Sequence, residues 1–239
     1  MGKNLKIKLA VDLLMTGALL FLMPYELIGR AAHEWIGTGM LLLFLLHHFL
    51  NRRWAGSLLK GRYSPARILQ TALVFLALLS ILGSIVSGIL LSRYVFGFLK
   101  WKGAAAFART LHMACAYWGF VWMSLHLGVH WGMVTGMAAK GFSHRDSTGN
   151  SFQPHGRNPF HRGKWIARAA GAVIAGYGAF AFVKREIGSY LLMQIQFVFF
   201  DYEEPVFFFI LDYMAVMGLF VFLGHYLLKG LKKTGAVKV

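Results

Sequence analysis

A chain of 239 residues that is 57% hydrophobic and only 14% charged, with a mean hydropathy of +0.56, is too apolar for a water-soluble domain, whose surface must be largely polar. Its formal charge of +16 does not point to nucleic acid, because no basic stripe interleaves with aromatic residues in a soluble context. The single cysteine, Cys115, excludes disulfides, thiolate clusters and the C-x-x-C-H attachment of c-type haem, so any metal must be held by histidine.

Six windows of about 18 to 30 residues predict membrane-spanning helices: 9–28, 33–50, 68–91, 108–137, 165–183 and 205–228. The first follows Lys3, Lys6 and Lys8 and is expected to be retained, because no small-residue cleavage site follows it. After the fourth window, 140–164 is rich in Gly, Ser, Asn, Pro and His without periodicity and predicts an irregular connector. Between the fifth and sixth windows, 187–200 is apolar but short for a span. Its Tyr and Phe content suits a segment at the membrane interface, and the alternative is a continuation of the fifth helix. Pro205, after Glu203 and Glu204, fits the first turn of the last helix, where the missing N–H costs nothing and acids favour the dipole.

Lysine and arginine concentrate in cytoplasmic loops. With the N-terminus inside, the inner segments hold 18 of the 25 basic residues, and six of the nine acids fall outside. A multi-pass chain with both termini cytoplasmic follows. The expected fold class is an all-α membrane protein, a polytopic bundle of about six transmembrane helices with a four-helix core in 1–139. A cytoplasmic connector at 140–164 and a two-helix membrane extension at 165–239 complete the organisation.

Seven of the ten histidines, His33, His47, His48, His112, His126, His130 and His225, lie in or at the ends of these windows, where polar side chains are costly and usually functional. His33 and His47 are 14 positions apart on the second helix, and so are His112 and His126 on the fourth. Fourteen residues make about four turns, so each pair shares a face with a rise of roughly 21 Å between its members. Both helices run outside to inside, which sets His33 level with His112 and His47 level with His126. Two bis-imidazole sites follow, and a porphyrin fits the apolar space between facing helices of a bundle. His48 points about 100° away from His47, while His130 lies one turn below His126 on the same face. Both compete as ligands, or would bond a propionate or a quinone. Gly37, Gly39, Gly119, Gly128 and Gly132 flank the histidines; they would admit a flat macrocycle, or serve ordinary helix packing. Arg30 and Arg109 outside, and Arg52 and Arg53 inside, lie near the expected haem edges as propionate partners, although topology alone also puts arginines there.

The motifs H-E-W-I-G from His33, H-H-F-L-N-R-R-W from His47, S-G-I-L-L-S-R-Y-V-F from Ser87 and the histidine-rich run from Leu111 to Trp131 resemble those of the flavinylation-associated cytochromes. That bacterial membrane family is related in helical layout to the cytochrome b subunits of formate dehydrogenases and hydrogenases. The resemblance covers the first four helices, and F-F-D-Y-E-E-P from Phe199 looks like a C-terminal extension of some members. It implies two haem b groups on His33, His47, His112 and His126, and an electron route across the bacterial cytoplasmic membrane to an extracytosolic FMN-carrying protein or reductase. The flavin carrier must be another polypeptide, since D-S-T-G from Asp146 departs from the flavin-attachment pattern.

The leading expectation is therefore a transmembrane electron carrier fed by a quinol or a cytoplasmic-side donor. A second keeps the haems but makes the chain a quinone-reactive anchor for a soluble dehydrogenase, with His130, His48 or Asp212 near the quinone. A third is a haem-free sensor or scaffold packing through Gly171, Gly176 and Gly178. Asp212 is a candidate for proton release, or a hydrogen-bonding partner of a neighbouring helix.

Overall fold

The structure, a computed structural model, describes residues 3–58, 60–99, 103, 105–142, 159–195 and 197–236. They form helices α1 (Lys3–Leu22), α2 (Tyr25–Ile28), α3 (Arg30–Ala55), α4 (Pro65–Leu91), α5 (Ala105–Phe142), α6 (Pro159–Lys184), α7 (Ile187–Leu191) and α8 (Val206–Ala236), with no strand among the described residues. All six apolar windows fall within or largely within long helices; two boundaries differ from expectation, and the end of the fifth decides between the two readings of 187–200.

The first window is interrupted at Pro24, whose ring forbids continuation of α1. Residues 25–28 instead make the separate turn α2, and Gly29 at φ +86° redirects the chain into α3. The connector is shorter than 140–164, because α5 runs on to Phe142 and α6 starts at Pro159, a residue suited to a first helical position. What remains, 143–158, lies outside the described residues and includes the D-S-T-G stretch. Finally, the fifth predicted helix does not continue past Lys184. Glu186 takes a left-handed conformation at φ +50°, and α7 turns back onto α5. There Trp118 Nε1 donates to the Leu191 carbonyl at 3.0 Å, and Tyr190 stacks on Tyr117 at 4.7 Å.

Three segments are long and apolar enough to cross a membrane: Pro65–Leu91, Trp165–Lys184 and Val206–Thr234. Only 17% of the apolar window of each of the first two is buried within the protein. An aliphatic helix so little covered requires an apolar surrounding, which lipid supplies. The apolar run of α1 is broken by Lys6, Lys8 and Asp12, and α3 and α5 hold the repeated histidines.

Close packing divides the bundle into two groups. In the first, α1 and α3 form an antiparallel hairpin, clamped at one end by Lys8 Nζ donating to Asn51 Oδ1 at 3.0 Å. In the second, α8 is pressed between α5 and α6 while α4 lies along α5. Glycines set these crossings reciprocally. A Cβ on Gly128 of α5 would strike the Val221 backbone of α8, and one on Gly224 of α8 would come 2.6 Å from the Leu125 carbonyl oxygen of α5. Gly178 of α6 and Gly218 of α8 repeat the arrangement against Ala215 and Ile174, as small residues do where helix backbones approach. The two groups meet over a shared core in which Val11, Met15, Met40 and Phe44 join Phe120, Tyr213, Val216 and Val221. Thus α8 belongs to the same core as α1, α3 and α5.

Candidate functional site

Helices α3 and α5 run in the same direction and bring their histidine stripes face to face. At one end the His33 and His112 rings stand 6.0 Å apart, centroid to centroid, nearly perpendicular at 72°. At the other, His47 lies against Asp12 of α1, and the His126 ring packs on that of His130 in its own helix. With a metal–imidazole bond of roughly 2.0 Å, two rings facing each other across one metal ion have centroids about 6 Å apart. The spacing of the first pair therefore fits shared ligation.

Ring nitrogens distinguish the four histidines. The Nδ1 of His47 is 2.7 Å from Asp12 Oδ1. An ionised carboxylate only accepts, so in the neutral imidazole Nδ1 carries the proton and Nε2 is left as a free lone pair. His112 has the same tautomer for a different reason. Its Nδ1 lies 3.0 Å from the Ser84 carbonyl and 3.1 Å from Ser87 Oγ, and the Ser87 hydroxyl itself donates to the Gly83 carbonyl at 2.6 Å. A carboxylate or backbone carbonyl on the remote nitrogen is the support that metal-ligating histidines generally have. By contrast, Nδ1 of His33 and Nδ1 of His126 are buried with no hydrogen-bond partner among the described residues. On each helix the protein thus orients one of the two histidines and leaves the other with an unsatisfied polar atom. An unsatisfied buried nitrogen costs about 1–3 kcal/mol, a cost that a metal bound at that same nitrogen would remove. No cluster of three or more His, Cys, Asp or Glu side chains is present among the described residues, and bis-imidazole ligation requires none.

The competing histidines separate. His48 turns its Nδ1 to the Phe44 carbonyl of its own helix, 3.0 Å away, and is exposed. His130 stays on the stripe, its ring 4.8 Å from that of His126. Of the arginines, Arg30 is engaged by Glu26 at 2.8 Å, and Arg52 lies over the Phe49 ring at 4.7 Å. Arg30, Arg52, Arg53 and Arg109 are all exposed.

The flanking glycines divide likewise. Gly119 approaches Ser80 of α4, and Gly128 is taken up by the α8 crossing, so both serve helix packing. Gly39 and Gly132 have nothing within 4 Å of a Cβ built on them, and Gly37 only Leu22 at 3.8 Å. Gly171 and Gly178 pack within the chain against Phe222 and Ala215 of α8.

Asp212, 2% exposed, accepts from Tyr177 at 2.6 Å, Lys184 at 2.8 Å and Arg185 Nε at 2.8 Å. Arg185 also bonds Glu204 and lies over the Phe209 ring at 4.6 Å. Burial works against the charge of Arg185, but the hydrogen bonds to Glu204 and Asp212 outweigh it and hold its pKa above the usual arginine value. Asp212 is thus saturated by three donors of α6 and its C-terminal edge, and it joins α6 to α8.

The partners of two carboxylates were not legible in the sequence. Asp12 stands out only as an acid in an otherwise apolar window, with nothing to say which histidine it meets. Glu34, beside His33, binds the loop after α4: Oε2 accepts from Ser92 Oγ at 2.6 Å, Tyr94 N at 2.8 Å and Val95 N at 3.0 Å, while Oε1 accepts from Arg93 N at 2.8 Å. The H-E-W and S-R-Y-V motifs are therefore the two halves of one latch.

No family model, no curated protein and no solved structure matches this chain.

Proposed function

We propose that this chain is a multi-pass membrane cytochrome of six spans that carries electrons through two b-type haems, one between His33 and His112 and one between His47 and His126. The observation that carries the proposal is the 6.0 Å approach of the His33 and His112 rings, on helices that each carry a second histidine 14 residues further along. Bound haem supplies reversible one-electron chemistry.

The residues of the chain bind and orient. Ser84 and Ser87 hold the His112 tautomer, and Asp12 holds that of His47. Phe44, Met40 and Phe120 exclude water from the core beside them. The separation within each helix, roughly 21 Å by helical rise, sets one site near each end of the seam and suits conduction along it. Lipid would surround α4, α6 and α8. Resemblance favours an extracytosolic flavoprotein or reductase as the acceptor and a quinol or cytoplasmic-side donor, in a bacterial cytoplasmic membrane with both termini inside.

The test is haem quantification by pyridine haemochrome on the purified chain, followed by redox titration. Two haems per chain and two titrating components are expected. His33→Ala and His126→Ala should each remove one component and spare the other. A chain without reducible haem absorption, or one that keeps full haem content in both variants, refutes the proposal.

A further inference from the structure

Close to the His47–His126 end of the bundle, α8 ends in Lys229, Lys232 and Lys233. Their spacing sets them on neighbouring positions of one helical face, where like charges repel. They line a cavity of about 650 Å³, together with His130 of α5, His225 of α8 and Gln70 of α4. Val129, Met133 and Leu228 form its apolar part. No carboxylate lies among the described residues that line it.

A helix dipole favours cations in a last turn, and it accounts for lysines there. It does not account for their convergence with two imidazoles and an amide on one concavity lacking a counter-charge. Lysine binds phosphate as a point charge, and imidazole and amide N–H groups add directed donors. The apolar wall fits a ligand that is only partly ionic. Because Val206–Thr234 is long and apolar enough to cross a membrane, its lysine-rich end stands at the bilayer surface, where basic pockets between helices bind anionic headgroups.

We infer that this cavity binds the phosphate of an anionic amphiphile, with Lys229, Lys232 and Lys233 around the phosphate and Val129, Met133 and Leu228 against the adjoining apolar portion. The membrane lipid is the favoured source, because a free phosphorylated solute would gain nothing from the apolar wall.

The test titrates the full-length purified chain in detergent with phosphatidylglycerol, with phosphatidylcholine and with inorganic phosphate, following affinity by thermophoresis. Phosphatidylglycerol is expected to bind and phosphatidylcholine not to. The triple variant Lys229→Gln, Lys232→Gln, Lys233→Gln should lose roughly a hundredfold in affinity, at about fivefold for each lysine. A charge-matched control, Lys6→Gln, Lys60→Gln, Arg62→Gln, should keep it. Saturation by inorganic phosphate as tight as by phosphatidylglycerol would assign the same lysines to a soluble ligand instead of a lipid. Equal loss in the triple variant and the control reduces the effect to general charge attraction and overturns the inference, as does unchanged binding in the triple variant. Should the triple variant not fold, Gln70→Ala with His225→Ala takes its place, with the same two outcomes.

Discussion

Replacing Glu34 by alanine should loosen one end of the histidine seam. Four hydrogen bonds to a carboxylate are removed, three of them from the backbone N–H groups of Arg93, Tyr94 and Val95 and one from Ser92 Oγ. Bonds to charged groups contribute about 1.5–3 kcal/mol each when buried, but Arg93 and Tyr94 are exposed, and water replaces part of what they lose. A net destabilisation of about 2–4 kcal/mol is expected, or roughly 4–16 °C in Tm for a chain of this size. Glu34→Gln should cost about half as much, because one oxygen in the Oε2 position keeps three donors and only Arg93 N–H then faces an amide NH2. Ser92→Ala removes its own bond to Glu34 and also the 2.8 Å bond from Phe96 N to Ser92 Oγ. Thermal unfolding of the two single variants and the double variant in detergent completes a cycle, in which the double should fall short of additivity by about 0.5–3 kcal/mol. Strict additivity, or an unchanged Tm in Glu34→Ala, would refute the latch. Because Glu34 neighbours His33 while α4 carries the serines that hold His112, the latch also sets the height at which those two rings meet.

Asp12→Asn should leave haem content intact but raise the midpoint potential of one component, since removing a negative charge beside His47 disfavours the oxidised, more positive centre. With Asp12 and His47 side chains 49% and 28% exposed, the charge is worth about 0.5–1 kcal/mol, or roughly 20–40 mV for one electron; a shift of neither component, or a fall, contradicts the assignment. Gly178→Ala and Gly176→Ala should move thermal stability in opposite directions although only two residues separate them. A Cβ at 178 runs into the Ala215 backbone, and overpacking costs about 1–3 kcal/mol, whereas 176 has nothing within 4 Å and alanine gains about 0.8–1.0 kcal/mol of helix propensity. Equal signs in unfolding experiments would show that the α6–α8 crossing is not set by glycine.

The helical architecture was legible because apolar length is a property of contiguous sequence, as is a repeated 14-residue interval along one helix. What could not be read is rotation between helices. Asp12 meets His47 across 35 residues and Glu34 meets Tyr94 across 60, and no spacing rule fixes which faces two separate helices turn to each other. Gly119 makes the point on a single helix. Seven residues from both His112 and His126, it lies within about 20° of their direction, so the stripe seemed to offer it to a flat ligand. Its nearest neighbour is nevertheless Ser80 of α4, because His112 itself leans on α4 through Ser84 and Ser87. One wall of the seam is thus α4 as well as α3, and four histidines that look equivalent in the sequence differ in their surroundings. His47 and His112 are oriented by the protein before any ligand arrives. His33 and His126 instead each keep a buried Nδ1 without a hydrogen-bond partner among the described residues, a difference that the duplicated interval alone does not reveal.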